Sequence, residues 1–266
     1  MLVVAGYLAS ILIGVTLGLI GGGGSILTVP VLVYLFGIDP VVATACSLFI
    51  VGITSVVGSF SYFNRGLVNV RIAVLFGLPS IVAVYLTRAY VIPNIPLEIM
   101  RVGSFVLSRS MLLMLIFAVL MLVSSFSMIK KSSNKEAKES SKRGLPYYLI
   151  LVEGLVVGTL TGLVGAGGGF LIIPALVILG RLPMKEAVGT SLVIISAKSL
   201  IGFLGESNLS QLDWRLLSFV TVFAVIGIFI GMLLSHRIDG GKLKPAFGWF
   251  VLVMGVYIIL KETILR

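Results

Sequence analysis

Two glycine-rich runs contain residues whose type and spacing suit the binding of an anion. The first is Gly21-Gly22-Gly23-Gly24-Ser25, and the second is Gly165-Ala166-Gly167-Gly168-Gly169. Glycine tolerates positive φ and allows a ligand to approach the backbone closely. A short apolar segment follows each run, and the N–H groups at the start of a helix attract anions together with the helix dipole. We therefore predict that these ten residues line a site for a small anion.

Polar side chains elsewhere in apolar segments could complete such a site. Ser47, Thr190 and Ser191 could supply hydroxyl groups, although hydrogen bonds between helices are an equal alternative. Lys198 could balance the charge of a bound anion, or it could form an internal ion pair or snorkel towards the membrane surface. Glu153 is a candidate carrier of a coupling proton, with a packing or interfacial carboxylate as the alternative.

The sequence argues against an enzyme, a metal site and a cofactor. The chain has one cysteine, Cys46, and one histidine, His236, so a cluster of His and Cys metal ligands is not expected. No Gly-Lys-Ser/Thr follows either glycine run, which excludes a nucleotide-binding loop of that kind. An intramembrane hydrolase using Ser25 and His236 is a weak alternative, because His236 falls at a loop and Gly169 occupies the position equivalent to Ser25.

The composition requires a polytopic membrane protein to position these residues. The chain has 266 residues, of which 58% are hydrophobic and 11% are charged, and its mean hydropathy is +1.17. Soluble domains are about 45–50% apolar and about 25% charged. The net charge of +10 does not indicate nucleic-acid binding, because six of the 20 Lys and Arg residues lie between Lys130 and Arg143. The expected partners are therefore the lipid bilayer and a small anion, with protons as a further candidate.

The apolar segments predict an all-α protein with a polar central stretch, Lys130–Gly144. The first five segments are Leu2–Ile20, Ile26–Phe36, Val41–Tyr62, Ile72–Tyr90 and Gly103–Phe126. The last five are Tyr147–Val164, Phe170–Leu179, Ala187–Leu204, Leu216–Ser235 and Ala246–Leu260. The second segment of each set is about half the length of a membrane span and follows a glycine run. Each set is therefore predicted to contain a broken helix, whose second part is a short half-helix. Pro30 and Pro174 are predicted to cap these half-helices at their downstream ends.

The two sets form an internal repeat that a single offset of 144 residues aligns without gaps. The offset places Gly21 on Gly165, Pro30 on Pro174, Ser47 on Ser191, Ser55 on Ser199 and Arg71 on Arg215. We predict one membrane domain over 1–266, with repeat one at 1–127, a cytoplasmic polar loop at 128–145 and repeat two at 146–266.

The distribution of Lys and Arg favours repeats of opposite orientation. Five segments per repeat place most of these residues, including the central cluster, on the cytoplasmic side. Arg88, Arg101 and Arg215 then fall in outer loops, and both termini lie outside. Four segments per repeat would leave the Arg237–Lys244 cluster on the wrong side. The predicted fold is thus two inverted repeats of four full spans and one short half-helix each.

The repeated motifs resemble those of the sulfite exporter TauE/SafE family. The resemblance rests on Gly-Leu-Ile-Gly-Gly-Gly-Gly at 18–24, Gly-Leu-Val-Gly-Ala-Gly-Gly-Gly at 162–169, the two prolines, and the elements at 43–48 and 187–192. It covers nearly the whole chain. The sequence departs from an ideal repeat at two aligned positions. Ala166 is aligned with Gly22, and Thr190 is aligned with Cys46. The resemblance implies a bacterial or archaeal multi-pass permease of the inner (plasma) membrane for small sulfur-containing or organic anions.

These observations together predict a secondary transporter that works by alternating access of inverted repeats. Export of an anion down an inside-negative potential is favourable, so proton coupling and uniport both fit. A ten-helix carrier of the drug/metabolite type, moving another small solute, is the alternative, although that class does not require paired glycine runs.

Overall fold

The computed structural model describes residues 2–22, 24–102, 105–129, 147–165, 167–178, 180, 182–206, 212–235 and 240–263. Ten labelled helices account for most of these residues. The first five are α1 Leu2–Ile20, α2 Ser25–Tyr34, α3 Pro40–Asn64, α4 Val70–Leu86 and α5 Arg109–Ile129. The last five are α6 Tyr147–Val164, α7 Gly169–Ile178, α8 Met184–Leu204, α9 Trp214–Ser235 and α10 Gly240–Thr263. The predicted cytoplasmic loop at 128–145 lies almost entirely outside the described residues.

The connection between α4 and α5 differs from the prediction. A π-helical turn, Thr87–Val91, and a short turn, Ile92–Asn94, prolong α4. Two antiparallel strands follow, β1 Glu98–Val102 and β2 Phe105–Ser108. The prediction of a helix from Gly103 is therefore wrong at its start, because residues 105–108 form β2 and pair with β1. By composition, these four residues could form either a helix or a strand.

The first four helices of each half, α1–α4 and α6–α9, begin at corresponding positions under the 144-residue offset to within one residue, whereas α5 and α10 do not. The short helices α2 and α7 both have 10 residues and begin at positions that the offset relates. The caps correspond as well: Asn69 Oδ1 accepts from Ile72 N at the start of α4, and Asp213 Oδ1 accepts from Leu216 N, both at 3.1 Å. A cap side chain satisfies an N–H group that has no partner within the helix. The same local sequence logic therefore starts equivalent helices in each half.

The packing partners also exchange between the halves. Helix α1 packs on α9, and its equivalent α6 packs on α4, the equivalent of α9. Helices α3 and α8 pack on each other, as do α5 and α10. The arrangement is that expected of two similar halves around a shared centre.

The distribution of polar and apolar side chains is the reverse of that in a soluble protein. Large apolar side chains such as Phe60, Leu204 and Leu233 are about 70% exposed, whereas Arg88 and Lys198 are fully buried. Five helices of the described part are long and apolar enough to cross a membrane: α3, α4 with its extension to Asn94, the Arg109–Phe126 part of α5, α8 and α9. The protein is a helical, multi-pass membrane protein, as predicted.

Small residues allow the closest helix contacts. A Cβ on Gly14 or Gly227 would collide with the backbone of the facing helix at the α1–α9 contact, and one on Gly158 would collide with Ser80 of α4. Gly14, Gly158 and Gly227 each begin a Gly-x-x-x-Gly spacing in the sequence, and small residues at this spacing let helices approach closely. Since these glycines are used in packing, they are separate from the two runs that interrupt the helices.

Candidate anion site at the second glycine run

Both glycine runs interrupt the helical backbone where the sequence predicts a break. Helix α1 ends at Ile20 and α2 begins at Ser25, while α6 ends at Val164 and α7 begins at Gly169. Positive φ occurs at the residue that opens each run, 76° at Gly21 and 70° at Gly165. Of the predicted site residues, Gly23 and Ala166 lie outside the described residues. The prolines do not end the short helices as predicted, because Pro30 and Pro174 lie inside α2 and α7.

The two runs meet at the N-terminal ends of the short helices. A Cβ on Gly22 would lie 2.5 Å from the backbone of Gly169, and a Cβ on Gly169 would in turn collide with Gly22. The first N–H groups of a helix have no partner within it and carry the positive end of its dipole. The convergence of α2 and α7 therefore concentrates backbone donors at one place between the halves.

Lys198 lies beside the second run, as the sequence predicts for a site residue. Its side chain is fully buried in α8, and Nζ donates to Thr161 Oγ1 at 3.0 Å. A Cβ on Gly168, where φ is 70°, would lie 2.7 Å from that Nζ and would collide with Thr161. The described residues place no carboxylate within ion-pair distance of Lys198. A buried ammonium group without a counter-charge is costly, which makes this place favourable for an anion.

The remaining polar groups around the second run are hydroxyls. Ser199 Oγ is buried without a hydrogen-bond partner among the described residues, and it lies 3.4 Å from the position of a Cβ on Gly167. Thr161 Oγ1 accepts from Lys198 and donates to the Gly158 carbonyl at 3.2 Å. Sequence reasoning did not select Thr161 or Ser199, although the repeated pair Ser55 and Ser199 was a visible signal.

The first run has apolar surroundings at the equivalent positions. A Cβ on Gly24, the equivalent of Gly168, would meet Leu17 and the Ile13 carbonyl. Leu17 occupies the position of Thr161 in the repeat, and Thr54 occupies that of Lys198. The backbone break is therefore shared by both runs, while of the two equivalent positions 54 and 198 only the second carries a charge.

The predicted hydroxyl residues have different environments. Ser191 Oγ donates to the Gly21 carbonyl at 3.2 Å, so it contacts the first run. Thr190 Oγ1 accepts from Asn69 N at 2.9 Å and ties α8 to the start of α4. Ser25 Oγ donates to the Gly22 carbonyl at 2.7 Å, and Ser47 Oγ is buried without a partner among the described residues. The structure thus connects Ser25 and Ser191 with the first run, and it gives Thr190 a structural bond.

Glu153 does not join this cluster through any described contact. It is half-buried on α6 and makes no hydrogen bond or ion pair with the described residues. Its neighbours in sequence on one side, Leu151 and Val152, are exposed apolar residues. The suggested role in proton coupling remains a prediction.

Arg88, which the sequence analysis placed in an outer loop, is buried near the second run together with Glu206. Arg88 is fully buried, and its Nη1 forms an ion pair with Glu206 Oε2 at 3.1 Å. A Cβ on Gly165 would collide with the guanidinium Nη2. The loop assignment of Arg88 is therefore wrong, because the helix continues from α4 through the π-helical turn that contains Arg88. Glu206 follows the end of α8, outside the helix, and is buried there.

Two of the cavities among the described helices bear on the site. The larger, about 590 Å³, lies between α3 and α9 among apolar side chains such as Val56, Phe60 and Phe229. It faces outwards and does not touch the glycine runs. The smaller, about 60 Å³, is lined by Asp39, Arg109 and Glu206 together with apolar residues of α3. Because Glu206 bonds to Arg88, the smaller cavity borders the ion pair whose guanidinium group contacts the second run.

Comparison with known proteins agrees with the resemblance in the motifs. The family model for "Sulfite exporter TauE/SafE" matches residues 6–258. A "Probable membrane transporter protein" of Xylella fastidiosa is 29% identical over 94% of this chain and 92% of its own length. A protein with the same description in Methanocaldococcus jannaschii is 24% identical over 98% of this chain and 95% of its own length. Another, in Bacillus subtilis, is 26% identical over 90% of this chain and 93% of its own length. No solved structure matches the chain. The chain belongs to the sulfite exporter TauE/SafE family of membrane transporters.

Proposed function

We propose that the protein is a secondary transporter for a small anion of the sulfite and sulfonate class. The observation that carries the proposal is the fully buried Lys198 ammonium beside the second glycine run, with a hydroxyl as its hydrogen-bond partner. The substrate anion would accept hydrogen bonds from Lys198, from the first N–H groups of α7 and from Ser199. Helix N-termini and lysine together favour an anion through charge and donor geometry.

Alternating access would follow from two inverted repeats around this site. The corresponding helix bounds and exchanged packing partners support two equivalent halves. Rocking of one half against the other would open the place where Gly22 meets Gly169 to each side in turn. With the central loop cytoplasmic, an inside-negative potential favours export of an anion by about 2.3 kcal/mol per charge per 100 mV. The site and the potential together require no coupling ion.

Proton coupling through Glu153 is a separate part of the proposal. Replacing Glu153 by Gln would remove a proton-binding group while keeping nearly the same shape. If Glu153 carries a coupling proton, sulfite flux in the Glu153→Gln variant no longer responds to an imposed pH gradient. A response equal to that of the wild-type protein would exclude this role and leave uniport.

A ligand panel tests the substrate class. Purified protein in lipid nanodiscs is heated with sulfite, thiosulfate, methanesulfonate or acetate, and with uncharged glycerol as the control. Ligand at 100 times its Kd stabilises the folded state by about 2.7 kcal/mol, which corresponds to a rise in Tm of several degrees. We expect that rise with the sulfur oxyanions and none with glycerol. Equal, negligible shifts with all of the anions would contradict the proposal.

A further inference from the structure

Arg88 occupies a buried position at the opposite end of the second run from Lys198. It lies in the π-helical turn after α4 and is fully buried. Its guanidinium group contacts Gly165, which opens the run, whereas Lys198 contacts Gly168. The run therefore lies between two buried cations, of which one has a carboxylate partner.

The hydrogen bonds of Arg88 use one nitrogen of its guanidinium group. Nη1 donates to Thr44 Oγ1 at 3.0 Å and to Glu206 Oε2 at 3.1 Å. Nε and Nη2 are buried and have no hydrogen-bond partner among the described residues. These two nitrogens point N–H groups in parallel, and that fork matches two oxygens of one oxyanion. Two parallel donors of this arginine are therefore left without an acceptor among the described residues.

The positions that the repeat relates to Arg88, Thr44 and Glu206 carry no charge. Under the 144-residue offset, Arg88, Thr44 and Glu206 correspond to Met232, Val188 and Tyr62, which pack together in one apolar cluster. Apolar packing of methionine, valine and tyrosine is therefore enough to hold the equivalent helices together. The packing of the halves does not explain why one of them carries a buried arginine, whose desolvation is costly.

Glu206 connects this arginine with the small polar cavity. Its carboxylate lines the cavity of about 60 Å³ together with Asp39 and Arg109. Arg109 Nη1 donates to the Ile92 carbonyl at 3.4 Å, and its Nε is buried without a partner among the described residues. Arg109 and Glu206 thus line the same cavity, and Glu206 links that cavity to Arg88, whose guanidinium group contacts the second run.

We propose that Arg88 is a second anion-binding residue, which takes an oxyanion through its Nε and Nη2 fork on the way to Lys198. Glu206 is the internal competitor of that anion, because its carboxylate neutralises the same guanidinium group. This inference rests on the proposed transport of anions. It adds that the protein selects anions with two or more acceptor oxygens over spherical anions of equal charge, since a halide cannot use a two-donor fork fully.

The test compares sulfite with chloride, using calorimetric binding to the protein in lipid nanodiscs. Arg88→Lys keeps the charge and removes the fork, so we expect sulfite affinity to fall about tenfold while chloride affinity changes less than twofold. Arg71→Lys is the matched control, because Arg71 is an exposed arginine at the start of α4. It should leave both affinities unchanged. An unchanged ratio of sulfite to chloride affinity in Arg88→Lys overturns the inference.

A second variant covers the case in which the arginine substitution prevents folding. Glu206→Gln removes the competing charge, so sulfite should bind about threefold to tenfold more tightly. The anion-free variant should have a lower Tm, and sulfite should raise that Tm by more than it does in the wild-type protein. Weaker or unchanged sulfite binding in Glu206→Gln overturns the inference. If wild-type protein binds neither anion, the proposed function fails as well; if binding depends on Lys198 but neither variant behaves as expected, only the role of Arg88 fails.

Discussion

Lys198→Met is expected to abolish anion binding while leaving the protein at least as stable as the wild type. The side chains are similar in length, but methionine carries no charge and no donor. Losing a buried charge partner costs a ligand about 2–5 kcal/mol, which is a loss of affinity of about 30-fold to several thousandfold. At the same time, the variant no longer buries an ammonium group whose described partner is the Thr161 hydroxyl, so its anion-free Tm should be equal or higher.

The two readouts of this variant separate a binding role from a structural one. Lys185→Met is the matched control, since Lys185 is exposed in the first turn of the same helix, α8. It should bind sulfite as the wild type does. A lysine that merely holds α8 against α6 through Thr161 would give the opposite pattern, a lower Tm with anion binding retained. That result would remove Lys198 from the site.

Gly168→Ala is expected to lower sulfite affinity by at least about tenfold, because the added methyl group would displace Thr161 and lie 2.7 Å from Lys198 Nζ. Its backbone also has φ of 70°, a conformation that costs a residue with a Cβ about 1–2 kcal/mol. The loss of stability should therefore be accompanied by a loss of binding.

Gly37→Ala provides a control that isolates the backbone effect. Gly37 also has φ of 70°, but a Cβ there would meet nothing within 4 Å. We expect Gly37→Ala to lower Tm through the same strain and to bind sulfite normally. If Gly168→Ala also binds sulfite normally, or if both variants lose binding equally, the second run is not in direct contact with the ligand.

The sequence predicted the parts of the fold that depend on local pattern. The breaks at Gly21 and Gly165, the short helices and the 144-residue offset follow from glycine content, segment length and alignment of one chain with itself. Lys198 was recognisable because a charge inside an apolar segment is rare. The helix packing of Gly14 and Gly227 followed from their spacing.

Other parts depend on contacts between distant residues and were not predictable. Thr161 is 37 positions from Lys198 in the chain, and nothing in its own segment distinguishes it from other hydroxyl residues. Arg88 and Glu206 are 118 positions apart, and each lies near the end of an apolar segment, where a charge usually marks the membrane surface. Only the π-helical turn after Leu86 draws Arg88 into the interior. The hairpin before α5 was missed because its strand residues are as apolar as a helix.

Sulfite flux into proteoliposomes that contain either the wild-type protein or Lys198→Met is the most direct measurement of the central claim. A potassium gradient with valinomycin sets the membrane potential, and radiolabelled sulfite reports net movement. We predict that flux through the wild-type protein increases as the potential drives the anion across, and that Lys198→Met reduces flux to the level of protein-free liposomes. Equal sulfite flux through the two proteins, at equal reconstitution, would contradict the account.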